Sequence, residues 1–171
     1  MAEQVIDLYG YHKWANQRIF EHLHQLSDEV YNKTIQSVFP SVAEVLIHVY
    51  QVDKIWSAVM MGKTFDEVMA IAGRARMDAK DKALEEIEVL YRDASEELHT
   101  FLISQDDLDK IIICEHPEFG RLETPLSQLV QHVVNHGTYH RGNITAMLRQ
   151  MGHKGVPTDY IFYLYELSSV N

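Results

Sequence analysis

The sequence predicts an all-α protein: a four-helix bundle closed by a short C-terminal helix. Three observations carry this. Apolar residues recur at spacings of three and four along most of the chain. Helix start and stop signals fall at the ends of those periodic stretches. The one clear break in the period, Ser104 to Glu123, holds the β-branched run Ile111-Ile112-Ile113. No internal repeat, low-complexity tract or Pro/Gly-rich linker divides the chain, so its 171 residues are expected to form a single domain, 1–171.

The first helix is expected from about Glu3 to Gln25, with Val5, Ile6, Tyr9, Ala15, Ile19, Phe20, Leu23 and Leu26 inward. Ser27-Asp28 then starts a short turn. The second helix opens after Pro40, where Ser41 and Glu44 have the spacing of a capping box, each side chain answering an orphan backbone N–H. Its apolar stripe is Val42, Val45, Leu46, Val49, Val52, Trp56 and Val59, and Gly62 stops it. The third helix covers about Asp78 to Ile103, with a solvated outer face of glutamates. Between Ser104 and Glu123, Pro117 and Gly120 mark a turn, so a short hairpin or extended loop is expected. Thr124-Pro125 reads as an N-cap followed by proline at the first helical position. The fourth helix runs to about Met151, and a short terminal helix follows Thr158, its tyrosines and the two tryptophans assigned to the core.

Composition narrows the function. Fifteen basic against twenty-five acidic residues give a net charge of −10. The phosphate backbone of a nucleic acid selects a basic face, so nucleic acid is not an expected partner. No apolar run approaches the roughly 20 residues that span a bilayer, so no membrane partner is expected. The first residues lack the layout of a signal peptide. The single cysteine, Cys114, cannot form a bridge within the chain and reads as a small apolar residue. A cytoplasmic protein is expected.

Ten histidines are the oddity of the composition. His22, His24, His99, His116 and His153 have polar or turn-like surroundings and read as surface residues. His132, His136 and His140 recur every four residues on the fourth helix. Successive members stand about 40° apart around the axis, so an adjacent pair can direct two imidazoles at one ion. The three together drift about 80°, so one ion takes two of them. Periodicity alone leaves the choice open. Gly137, unfavourable inside a helix, implies a close approach to the backbone there and favours the flanking pair, His136 and His140. His48 sits in the apolar stripe of the second helix. A buried polar group needs a partner, and a metal shared with the fourth helix would supply one.

Three stretches resemble the DinB-like (DinB/YfiT) family: Tyr11-His12-Lys13-Trp14-Ala15-Asn16, the segment Ser41 to Trp56 around His48, and His132 to Gly152 with its NHGTYHRG core. The closing Thr158-Asp159-Tyr160 fits the same pattern. The resemblance implies a bundle with a long crossover between its second and third helices. It implies a divalent metal on His48, His136 and His140, with His132 outside the triad. It also implies a homodimer and kinship with proteins that handle low-molecular-weight thiols such as bacillithiol and mycothiol. The chain departs from the pattern at Asn143, where many members carry glutamine, and at His12, where many carry asparagine.

Three imidazoles leave an ion with an open position, and zinc or nickel suits such ligands better than calcium or magnesium. The expected function is therefore metal binding, with a metal-dependent thiol S-transferase as the leading activity and a small thiol and an electrophile as partners. Two alternatives stand beside it: a non-catalytic metal-binding or stress-response protein, and a metal-dependent hydrolase. The hydrolase would want a carboxylate base, for which Glu44 is the nearest candidate. No catalytic residue beyond the ligands is singled out.

Overall fold

The computed structural model describes residues 2–170. Seven helices and one hairpin follow one another along these residues. They are α1 (Ala2–Leu23), α2 (Asp28–Asn32), α3 (Val42–Met60), α4 (Phe65–Ala79), α5 (Leu84–Ile103), β1 (Ile111–His116), β2 (Gly120–Pro125), α6 (Leu126–Gln150) and α7 (Tyr160–Val170). The long helices α1 and α3 each pack against both α5 and α6, so the four close in a ring around the core. The all-α expectation holds. Among the described residues no helix is long and apolar enough to cross a membrane.

The connection between α3 and α5 is itself helical. α4 opens on a complete capping box, with Thr64 and Glu67 answering each other's backbone N–H, and lies against α3. Its buried residues are Val68, Ala72, Ala75 and Ala79. Such small side chains make only a faint apolar stripe, so the sequence pattern shows no helix here and predicts the next one from Asp78. The chain instead turns at Asp81, in the left-handed region at φ 58°, and α5 starts at Leu84.

Two helix starts also differ from expectation. Ser41 accepts from the Glu44 backbone N–H, but the Glu44 carboxylate accepts from Arg76 on α4 instead of closing the box. At α6 the cap position belongs to Pro125, one residue later than expected, because Thr124 remains in the β ladder opposite Ile112. The hairpin resolves the irregular segment, its turn closed by Gly120 at φ +78°. At the C-terminus Tyr163 is buried, whereas Tyr160 and Tyr165 are exposed. α7 packs on α1, and its tyrosines are not all core. Trp14 and Trp56 are half-buried.

The core falls into two apolar clusters. One gathers Ile19 and Phe20 of α1 with Val45, Leu46 and Val49 of α3 and Ile144 and Leu148 of α6. The other gathers Tyr9 and Ala15 with Met60, Leu98, Val130 and Val133. At the level between them stand buried polar side chains: His12 and Asn16 on α1, and Arg141 on α6. His12 Nε2 lies 3.1 Å from the Asp53 carboxylate of α3 and 3.0 Å from Asn16 Nδ2. Arg141 donates to Asn16 Oδ1 at 2.8 Å and to Thr138 Oγ1 at 2.9 Å.

This layer explains Gly137. A Cβ there would stand 2.5 Å from His12 Cε1 and 2.8 Å from an Arg141 guanidinium nitrogen. What approaches the helix backbone is the His12 ring. By helix propensity alone Gly137→Ala would gain about 1 kcal/mol. Both neighbours are held by hydrogen bonds and would have to shift, so the substitution is expected to cost about 1–3 kcal/mol as overpacking does. A urea midpoint at or above that of the parent protein would remove His12 from this seat.

Candidate metal centre

The polar layer opens on its far side into three histidines. His48 comes from the middle of α3, whereas His136 and His140 stand one turn apart on α6. One ring nitrogen from each lies within 4.8 Å of the other two. His48 Nε2 and His136 Nε2 are 3.2 Å apart. The ring centroids of His140 lie 4.7 Å from His48 and 4.4 Å from His136. His140 is buried, while His48 and His136 keep part of their surface accessible.

The fit to a metal ion can be tested on this geometry. Two imidazole nitrogens at 2.0–2.1 Å from a tetrahedral ion stand roughly 3.3 Å apart, close to the separation of His48 and His136. The donor set is purely nitrogen, which suits a borderline transition ion. A ligating histidine also needs its second nitrogen satisfied. For His140, Asn143 Nδ2 stands 3.2 Å from Nδ1. Turned by half a rotation, the same amide accepts from Nδ1–H, the tautomer that frees Nε2. For His136, Nδ1 is buried without a partner. By spacing and donor type the three residues fit one ion, with the second nitrogen of His136 left unsatisfied.

Electrostatics keeps these rings neutral. Burial, followed by the neighbouring His140, His48, His132 and His12, pushes the His136 imidazole down to about 3. Burial and then His48 push His140 down to about 4. Burial and then Arg76 lower His48, with Asp53 acting the other way. A neutral imidazole presents the lone pair that a metal needs, so protons compete weakly here.

The remaining expectations divide. His132 is exposed, packs edge-on against Trp56 at 4.6 Å, and lies outside the cluster. Cys114 sits in the hairpin, where burial raises its thiol and so disfavours the thiolate. Glu44 is engaged by Arg76. Phe39, which no sequence signal marked, walls the site with its ring 5.2 Å from His48 and 5.5 Å from His140. Asp53 also passed unremarked, although a lone carboxylate on the apolar stripe of α3 was the signal that could have found it.

Comparison with known proteins shows the family and the fold. Residues 1–167 match the model of the DinB family. The chain is 46% identical over 165 residues to "Protein DinB" of Bacillus subtilis (strain 168), covering 96% of each chain. A crystal structure of a DinB-like protein from Bacillus subtilis superposes with a TM-score of 0.57 at 19% identity. It covers 90% of this chain and 96% of that one, and supports the fold alone.

The depressed imidazoles fix a pH dependence. The folded state holds His136 and His140 neutral, whereas the unfolded chain protonates them near the ordinary value of about 6.5. Stability from this source is therefore complete above about 6.5 and is lost as pH falls toward the folded values. Metal-free protein should show a falling urea midpoint between pH 7 and pH 5, above the carboxylate range. The fall should be smaller in His136→Gln; an equal fall in both proteins would contradict the assignment.

Proposed function

The chain belongs to the DinB family, and on that premise we propose that it is a metal-dependent thiol S-transferase, its divalent ion held by His48, His136 and His140. The observation that carries the metal is the convergence of three neutral imidazoles from two helices. Zinc or nickel is the ion that such ligands favour. The thiol chemistry is supported by the resemblance to thiol-handling proteins and by the composition of the site.

When bound, the ion supplies a Lewis acid that favours a thiol in its thiolate form. The side chains supply the rest. His48, His136 and His140 fill only part of a coordination sphere, and the exposure of His48 and His136 leaves a side that a small molecule can reach. The Phe39 ring stands against another side. The reaction joins the thiol sulfur to an electrophilic carbon, with the leaving group departing on its electron pair and the thiol proton passing to solvent. The thiol comes from outside, since Cys114 is not among the clustered residues.

Hydrolysis is less well supported. A hydrolase wants a carboxylate base beside the ion. Among the described residues the cluster contains none, and Glu44 and Asp53 are engaged by Arg76 and His12. A non-catalytic metal protein would use the same three histidines and is separated by its response to thiols. For assembly we propose a homodimer, which the exposed apolar residues Ile161 and Leu164 of α7 support.

Elemental analysis tests the metal. The ratio of ion to chain should be near one, lost in His48→Ala, His136→Ala or His140→Ala and retained in His132→Ala. Full occupancy in His48→Ala would leave α6 as sole ligand source and end the interhelical site.

Cobalt-substituted protein tests the thiol. In a Cys114→Ala background, adding bacillithiol or a related cysteine-based thiol should produce a sulfur-to-metal charge-transfer band that strengthens with pH as thiolate forms. No band across a panel of cellular thiols, in fully loaded protein, would withdraw the transferase and keep the metal site.

A further inference from the structure

α6 presents a second face. Asn135, Thr138, Gly142, Thr145 and Arg149 recur at spacings of three and four, and at about 100° per residue they stand opposite His136 and His140. On that side, between α6, the Leu8–Tyr11 turn of α1 and the segment 155–162, lies a cleft of about 860 Å³. This is within the usual range for small-molecule sites, roughly 300–1,000 Å³.

The chemistry of the walls selects a ligand. Leu8, Val134, Val156 and Phe162 are apolar. Arg141 and Arg149 oppose a single acid, Asp159, although the whole chain carries a net charge of −10. Thr158 and Tyr160 bring the start of α7, the positive end of its helix dipole, to the rim.

Arg141 is the decisive residue. It is only 3% exposed. Its contacts, Asn16 Oδ1, Thr138 Oγ1 and the Tyr11 hydroxyl at 3.5 Å, are all neutral. Its Nε has no partner. Among the described residues no carboxylate lies within ion-pair distance of it. A buried cation without a contacting counter-ion is costly, and an anion in the cleft would offset that cost.

We propose that this cleft is a second ligand site, separate from the three histidines, for a small carboxylate with an apolar body. The carboxylate faces the Arg141 and Arg149 side, and the body lies against Val156 and Phe162. The site does not depend on the transferase reading.

Calorimetry on the metal-loaded full chain tests this, with 3-phenylpropionate as probe and uncharged 3-phenylpropionamide as control. Arg141 is structural, so the variants are made elsewhere. A Cβ at Gly142 meets nothing within 4 Å, so Gly142→Phe can fill the cleft from an exposed helix position without disturbing the fold. The acid should bind at least about tenfold more tightly than the amide, as charge-assisted hydrogen bonds do. Binding should be lost in Gly142→Phe, weakened about two- to fivefold in Arg149→Gln, and unchanged in His136→Ala. Equal binding of acid and amide, binding that survives Gly142→Phe, or no binding at millimolar acid would overturn the proposal. Altered self-association in Gly142→Phe without any probe binding would also overturn it, and would assign the cleft to a second copy of the chain.

Discussion

The two apolar clusters of the core are separated by a polar layer in which His12 is the central piece. Its ring lies against the backbone of α6 at Gly137 and within hydrogen-bond distance of Asp53 on α3. One imidazole, 0% exposed, thereby sets three helices against one another. The position of α3 relative to α6 fixes the distance from His48 to His136 and His140, so the candidate metal centre depends on a residue that does not belong to it. A smaller side chain at position 12 would leave a gap at Gly137 and the Asp53 carboxylate without a partner, and burial of an unpaired charge is among the costliest defects a core can carry.

How much of this could be read from the residues varied with the physical signal. The long amphipathic helices were readable, because their stripes carry Leu, Ile, Val and Phe at helical spacing. α4 was not, because Ala72, Ala75 and Ala79 bury too little area to stand out from a polar linker. The metal candidates were readable from type and position: a histidine on the apolar stripe of α3, and a pair on α6. Gly137 was read correctly as a point of close approach, but the approaching group was assigned to the ion side when it is His12. Phe39 acts through ring contacts that no local pattern announces, whereas Asp53 stands out as a carboxylate beside the apolar stripe of α3.

Charge is distributed unevenly for a physical reason. The acids lie mostly on outer faces, such as Glu96 and Glu97 of α5, each paired with a lysine of a neighbouring helix. Inside, the polar layer carries Asp53 and Arg141 but separates them by His12 and Asn16. That spacing leaves neither charge fully neutralised by direct contact. Each retains the capacity to act on what lies beside it: Asp53 opposes the depression of His48, and Arg141 faces the cleft.

The stretch from Asn135 to Asn143 then becomes intelligible residue by residue. Asn135 and Gly142 line the cleft, His136 and His140 face α3, and Gly137 seats His12. Thr138 accepts from Arg141 while donating to the Val134 carbonyl, and Arg141 reaches across to α1. Tyr139 packs edge-on against His140, and Asn143 stands beside the second nitrogen of that ring. Nine consecutive positions are committed because a helix turning about 100° per residue distributes them over every direction in two and a half turns. α6 has α3 as a partner on one flank and the cleft on the other. Its dense polar sequence follows from serving both sides, where a helix burying a single apolar stripe would have left half of these positions free to vary.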